Sequence, residues 1–358
     1  MEIKTPVSFE DTSVAFSSKS NRQLRQSYRL FGLMNYPWLV NLGTKFIKLA
    51  LKLKLPVKSL IKSTIFKQFC GGETINDCRP TSLELAAYGV GTILDYSVEG
   101  TELEEVFEIH TAEMLETIEQ AQLEPVNPFC VFKVSGIASN VLLERVSAQQ
   151  PLDQAQQLAW ERVLTRMDKI VAKAQQHQVR IMIDAEESWI QDAIDDAVQD
   201  LMKRYNTDRA LVINTYQMYR HDMLQKLKEA FHEAATHNYH LGVKLVRGAY
   251  MEKERERAED MEYPSPIQPH KQATDDDFNL ALKFCVDNLQ RIVLCCGSHN
   301  EYSNYYLTVL MDKYGIKPND PRIYFMQLYG MSDNISFNLA HANYNVAKYV
   351  PYGPINKV

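Results

Sequence analysis

The sequence predicts an α/β protein built on a (β/α)8 barrel with a helical arm in front of it. Three observations predict that class. From residue 80 onward, eight short apolar runs alternate with longer amphipathic segments, the rhythm of βα units and a parallel sheet. Polar or charged residues gather at the same end of all eight runs, where a barrel keeps its chemistry. No G-x-G-x-x-G follows any run, which weakens the runner-up, a doubly wound open sheet.

The elements follow in chain order. Residues 1–20 show little periodicity and read as a loose tail. From Asn21 to Lys67 the chain reads as helical and basic, so residues 1–79 form a tail and arm and residues 80–358 the barrel. Between Lys45 and Lys67 lysines stand at 45, 48, 52, 54, 58, 62 and 67 with no acidic residue, interleaved with Phe46, Ile47, Leu49, Leu51, Leu53 and Leu55 and broken by Pro56. Basic residues with apolar partners suit an anionic membrane surface. An arm packed on the barrel with a solvated basic face explains the same pattern, and is favoured because most amphipathic helices of globular proteins face a core. The expected strands are 91–96, 129–134, 179–184, 210–214, 242–246, 292–296, 323–328 and 346–350. The expected helices between them include 102–122, 155–178, 191–205, 218–237, 275–288, 300–314 and 334–342.

Composition narrows the class. The 358 residues are 45% hydrophobic and 23% charged, the balance of a soluble globular chain. The net charge of −6 gives no argument for nucleic acid. Six cysteines, at 70, 78, 130, 285, 295 and 296, form neither a CxxC pair nor a disulfide framework. A reducing compartment is expected, and no structural zinc. The N-terminus carries Glu2, Glu10 and Asp11 and lacks an apolar core, which argues against a signal peptide or presequence. No run of about 18 apolar residues exists. The expected location is the cytoplasm, with peripheral contact at the inner face of a bacterial membrane as the role left open for the arm.

The stretch most suggestive of chemistry is VKLVRGAYMEKER, Val243 to Arg255. A strand ending in Lys244, Arg247, Gly248 and an aromatic suits a phosphate or a planar ring, because glycine admits close approach and the cations supply charge. Charged strand ends are also common for structural reasons. The other ends supply Asp95 and Glu99, Lys133, Asp184, Asn214, His299, Gln327 and Tyr349. Each has a bland explanation: Asp184 as a helix cap, His299 as a loop histidine, Lys133 as half of an ion pair, Tyr349 as rim filling. Together they mix cation, amide and carboxylate, which fits a polar heterocycle with a phosphate tail better than a metal. Spacing such as H-x-x-x-H is absent, so no metal is expected.

Five segments carry a resemblance: GVKLVRGAYMEKER, SHNEYS, QLYGMSDNIS, ILDYSVEG and FCGGETINDC. They resemble segments of the proline dehydrogenase (proline oxidase) family, in the monofunctional branch that includes the mitochondrial enzymes. The likeness runs from about Arg25 to Gly353. It implies a distorted (β/α)8 TIM-type barrel holding FAD at its C-terminal face, with an N-terminal helical arm. It also implies oxidation of L-proline to Δ1-pyrroline-5-carboxylate, the first step of proline catabolism, with electrons passed to a quinone. By the resemblance Asn214 and Lys244 touch the flavin ring, Lys244 near its N5 edge. Ser298, His299 and Asn300 face the phosphates, and Lys271 reaches the ADP half. Lys133, Asp184, Tyr250, Leu328 and Tyr349 line the substrate pocket, and Tyr349 is associated with excluding a hydroxylated ring. Glu99 matches a glutamate that pairs with an arginine of the family's closing helix. That helix, with two arginines for the substrate carboxylate, has no counterpart after the last strand of this sequence. Lys133 is the matched basic residue left for the carboxylate.

Two other classes remain in view at this stage. A flavin barrel of the methylenetetrahydrofolate reductase type would need a folate-stacking site and a nicotinamide route, for which no residue argues. A catalytically silent scaffold is made plausible by the missing arginines alone.

Overall fold

The computed structural model describes residues 7–36, 38, 42–43, 62–96, 102–123 and 128–355. Eight strands form its centre: β1 (Val90–Tyr96), β2 (Phe129–Phe132), β3 (Arg180–Ile183), β4 (Val212–Gln217), β5 (Leu241–Val246), β6 (Ile292–Gly297), β7 (Ile323–Leu328) and β8 (Val346–Tyr352). Each strand from β2 to β8 pairs in parallel with the next, and β8 returns to pair with β1. Val90 lies opposite Val346 and Tyr96 opposite Tyr352. β1 and β2 carry no ladder between them among the described residues, so the barrel is closed except for one seam. This ring excludes the doubly wound sheet, which leaves two edges far apart.

The period of two along each strand divides the core. Ile93, Val131, Met182, Ile213, Cys295, Met326 and Ala347 point inward and fill the barrel. Their neighbours, among them Ile181, Val212, Val243, Leu245, Leu294, Phe325 and Val350, point outward beneath the helices. Burying each such side chain contributes roughly 1.5–3 kcal/mol before chain entropy is charged against it. Strands buried on both faces read as continuous apolar runs, which is why the sequence showed runs rather than alternation.

Two short helices and a third lie before β1: α1 (Thr12–Ala15), α2 (Asn21–Met34) and α3 (Ile75–Ala86). Around the barrel come α4 (Glu104–Leu123), α5 (Asn140–Ser147), α6 (Gln154–His177), α7 (Ser188–Tyr205), α8 (Met223–Thr236), α9 (Met251–Asp260), α10 (Lys271–Asp287), α11 (Glu301–Lys313) and α12 (Asp333–His341). α6 shows how the sequence sets such an element. Asp153 accepts from the Gln156 amide and Gln156 answers in a capping box, which satisfies orphan donors of the first turn. Val163, Met167, Ile170, Val171 and Ala174 then recur on one buried face, the helical period. The helix stops at Gln178, in the left-handed region at φ 59°, a common helix-ending geometry.

Three sequence expectations change. The charged segment after Tyr250 is a helix, α9, whose Glu254 and Ala258 are buried. β4 begins and ends later than expected, closing at Gln217 instead of Asn214. The tail from Val7 is not loose, because it docks on α12. Ala15 is buried, Asn338 Nδ2 donates to the Asp11 carbonyl at 3.2 Å, and the Tyr88 hydroxyl donates to the Ser17 carbonyl at 3.1 Å. Most of the expected basic segment from Lys45 lies outside the described residues. Its end, Lys62–Phe66, forms a π-helical turn. The chain then reaches β8, where the Gly71 amide donates to the Pro351 carbonyl at 2.9 Å.

Candidate active site

β5 places Lys244 on an inward position, among the last residues of the strand. Its Nζ lies 2.5 Å from Asp184 Oδ1, at the end of β3, and 4.3 Å from the Tyr349 ring centroid on β8. The Tyr349 hydroxyl donates to the same Asp184 oxygen at 3.5 Å. Lys244 is 6% exposed and Asp184 15%, so the pair stands in a medium that screens it poorly. Removing either charge alone would strand the other, which is far costlier than removing both. The aromatic face adds a cation–π contact. Burial, then the Asp184 charge, push the Tyr349 phenol well above its ordinary pKa. It therefore remains a neutral hydrogen-bond donor. Three strands thus converge on one ammonium, one carboxylate and one phenol at the C-terminal end of the barrel.

Arg247, just past β5, turns outward into the helical layer. Its Nε pairs with Asp275 Oδ1 at 2.7 Å, and Nη1 and Nη2 donate to Ser298 Oγ at 2.8 Å and Ser303 Oγ at 2.9 Å. The guanidinium lies 4.4 Å from the Phe278 ring centroid. Asn300 caps α11 by accepting from the Ser303 amide at 2.9 Å, and Ser298 Oγ accepts from the Asn300 amide at 3.1 Å. Burial pushes the Asp275 carboxyl up, but Lys271 and Arg247 together hold it below the usual range. Lys271 itself is exposed and paired to Asp275. Gly248 between these groups has φ 132°, and a Cβ there would stand 2.6 Å from the Tyr219 ring. No other residue type fits that bend.

His299 joins β6 to the β7–α12 loop. Its Nδ1–H donates to Ser332 Oγ at 2.8 Å, and Nε2 accepts from the Leu328 amide at 3.4 Å. That geometry needs the neutral ring. Desolvation, then the Lys348 charge, lower its pKa to about 4, although part of the ring reaches solvent. Lys348 is fully buried and donates to the Met331 carbonyl at 2.6 Å and to Asp333 Oδ1 at 2.7 Å. Asp333 also pairs with Lys19 of the tail. Burial alone would raise the Asp333 carboxyl, but the two lysines hold it low.

The remaining expected residues divide. Lys133 caps the 3-10 turn Val134–Gly136 after β2, and Tyr250 caps α9 with Lys253 Nζ 5.4 Å from its ring centroid. Leu328 lies exposed on the rim. Glu99 lies outside the described residues. Two amides are corrected. Asn214, expected against the flavin, points out of the barrel and donates to Asp195 Oδ1 of α7 at 2.8 Å. It lines a cavity of about 450 Å3 on the outer surface. Gln327 also points outward, donating to the Ser298 carbonyl at 3.1 Å and accepting from Ser336 Oγ at 2.8 Å. It fixes the start of α11 against β7. Both misplacements have one cause: only alternate residues of a strand face the interior.

That same alternation brings in residues the sequence reading passed over. Ile213, Thr215 and Gln217 form the inward row of β4. Thr215 Oγ1 donates to the Ile183 carbonyl at 2.8 Å, and Gln217 Nε2 to the Glu186 carbonyl at 2.7 Å. A second omission is Glu254 of α9, fully buried, whose carboxylate accepts from the Ser188 amide and hydroxyl at 2.6 Å each. It caps α7, the helix that follows Asp184.

The donor set decides whether FAD suits these residues. An ammonium and a phenol in the interior suit an electron-poor ring. Arg247, the two serines and the first turn of α11 suit a pyrophosphate, since helix N-termini bind anions. The tight bend at Gly248 lies between the two groups. The residues fit. Among the described residues no cluster of His, Cys, Asp and Glu is arranged to hold a metal.

Comparison with known proteins agrees with this geometry. A sequence model of the family described as proline dehydrogenase matches residues 78–358. The chain is 34% identical over 395 residues to mitochondrial proline dehydrogenase 1 of Dictyostelium discoideum, covering 97% of this chain and 69% of that protein. It is 36% identical over 299 residues to the carbapenem antibiotics biosynthesis protein CarD of Pectobacterium carotovorum, covering 84% of this chain and 76% of that one. Among solved structures, proline utilization A from Bdellovibrio bacteriovorus, inactivated by N-propargylglycine, superposes with a TM-score of 0.73 at 18% identity. That match covers 83% of this chain and 32% of the larger protein, and it speaks for the fold.

Proposed function

This chain belongs to the proline dehydrogenase family, and from that premise we propose that it oxidises L-proline to Δ1-pyrroline-5-carboxylate with FAD, passing the electrons on to a quinone. The observation that carries the reading is the buried Lys244–Asp184–Tyr349 group at the C-terminal end of the barrel. FAD, when bound, supplies the hydride acceptor at its N5.

The chain's own residues do the rest. Lys244, inward and desolvated, stabilises negative charge that develops beside it, because its charge is already in place and needs no reorganisation. Asp184 orients that ammonium and keeps it at one point. Tyr349 walls the site, and its neutral hydroxyl stays bound to Asp184. Arg247, Ser298 and the first turn of α11 would hold the pyrophosphate, with Lys271 reaching toward the nucleotide half. His299, held neutral, fixes the β7–α12 loop at the rim without adding charge. Lys133 and Tyr250, on the β2 and β5 loops, are the residues proposed to meet the proline carboxylate and ring. Proline's amine must be neutral when hydride leaves the adjacent carbon, and water can take that proton. Asp184 is therefore given no role as a base. The alignment of two rings is itself the larger part of such catalysis.

The test is colour. The purified protein is expected to show a flavin spectrum that bleaches on addition of L-proline. A colourless protein, or one bleached by a reduced nicotinamide and not by proline, overturns the reading in favour of a silent scaffold or of another flavin barrel.

A further inference from the structure

Between Thr12 and Gly72 the chain holds eleven lysines and arginines and no acidic residue, in a protein whose net charge is −6. The rest of the chain therefore carries −17. Such segregation is more than a solvated face requires. The described part of this segment shows what the charge accompanies. Along α2, Arg22, Arg25, Arg29 and Leu33 recur at spacings of three and four and so form one stripe. All four are exposed. Neither the three arginines nor Lys67 has an ion-pair partner among the described residues. Beside them large apolar groups stand in water: Tyr28 is 82% exposed, Trp38 66%, Leu42 58% and Tyr36 56%.

The opposite face of α2 is the one that packs. The Ser27 hydroxyl donates to Gln68 Oε1 at 2.8 Å, and Phe31 meets Phe69 edge to face. Gln68 in turn donates to the Gly330 carbonyl at 3.1 Å. Gly330, at φ 75°, has no room for a Cβ, which would stand 2.0 Å from the Gln68 carbonyl oxygen. The arm is thus seated against the loop that follows β7. The basic, aromatic stripe is held at the end of the barrel where the strands finish.

We infer that this stripe is a docking surface for an anionic lipid bilayer. Cations meet the headgroup charge, and Trp and Tyr side chains favour the boundary between headgroup and acyl chain. Charge complementarity alone would also suit nucleic acid, but Trp38, Leu33 and Leu42 would then remain in water. A second copy would cover the apolar groups while setting eleven like charges against eleven. The bilayer satisfies both features. It extends the proposed function, on which this clause rests, by placing the barrel mouth near a lipid-borne electron acceptor; the binding itself does not depend on that reading.

The test uses the full chain and extruded vesicles of two compositions, phosphatidylcholine alone and phosphatidylcholine with about a third phosphatidylglycerol. The protein is expected to co-sediment with the anionic vesicles and to leave them at high salt, because exposed charge is screened over about 10 Å at 0.1 M. Arg22→Gln, Arg25→Gln and Arg29→Gln together should weaken partitioning by about a hundredfold, at roughly a tenfold loss or slightly less per basic residue. Trp38→Ala should weaken it without changing its salt dependence. The triple variant should keep its melting temperature and its turnover of proline with a water-soluble dye. Equal binding to both vesicle types, or a triple variant that binds like the parent, overturns the proposal. So does a shift to dimer that the triple variant enhances, or retention on double-stranded DNA with none on lipid. If dye turnover is absent but lipid binding behaves as stated, the functional reading fails and the surface stands.

Discussion

Lys244 shows most directly how one residue is made to matter here. An ammonium so little exposed persists because Asp184 sits 2.5 Å away. Lys244→Met should therefore cost about 3 kcal/mol in chemical denaturation, by leaving Asp184 charged and unpaired. Adding Asp184→Asn should return at least half of that. Strictly additive losses would mean the two groups do not work as a pair. His299 offers a second single-residue test. Its pKa of about 4 in the folded protein compares with about 6.5 for a free imidazole. Between those values the unfolded chain binds a proton that the folded chain refuses. Stability from this group is full above about pH 6.5 and falls as pH drops toward 4. An imidazole titration by NMR with a midpoint near 6.5 would contradict this. A His299→Asn variant should lose less stability than the parent over the same interval.

At the scale of elements, the informative one is α9. Its composition is almost wholly charged, yet it is docked on three sides. Glu254 caps α7 through Ser188, Arg257 lies 4.4 Å from the Trp189 ring centroid, and Lys253 pairs with Glu187 at 2.8 Å. α9 follows the strand of Lys244, and α7 follows that of Asp184. The Glu254 cap thus ties together the two loops whose ends form the central ion pair. Glu254→Ala should destabilise by roughly 1.5–3 kcal/mol, the worth of charge-assisted hydrogen bonds. Amide exchange should accelerate in the first turn of α7, at Ser188 to Gln191. Unchanged exchange there, with faster exchange spread over the whole molecule, would show that Glu254 acts as ordinary core.

For the molecule as a whole, stability rests on the barrel core and needs no covalent staple. All six cysteines are free, five of them buried and Cys70 half-buried. Burial raises the Cys70 thiol to about 11 and those of Cys295 and Cys296 to about 12. Thiolate, the reactive form, is scarce at neutral pH. One thiol should react slowly with a disulfide reagent at pH 8 and all six in denaturant. Two or more rapid equivalents in the native protein would indicate that the core is open. Reductant should leave the melting temperature unchanged.

The sequence by itself determined the barrel. Eight apolar runs of strand length, spaced by helical segments, leave few other ways to bury so much apolar surface. It also determined Lys244, because a lysine inside an otherwise apolar run, followed by arginine and glycine, has no packing purpose of its own. Asp184 and Tyr349 were legible as strand ends in the same way. Tertiary structure decided the rest. Continuous apolar strands hide which residues face inward, so Asn214 and Gln327 were read as interior and Gln217 was passed over, though β4 had only to be extended by three residues. The tail looked loose because its partner, α12, lies more than 300 residues away in sequence, and Lys19 meets Asp333 and Lys348 only once the barrel closes. α9 looked like a solvated charge run because Glu254 is buried by helices its own period does not reveal. In each case the deciding contact joins residues distant in the chain, and no local pattern records it.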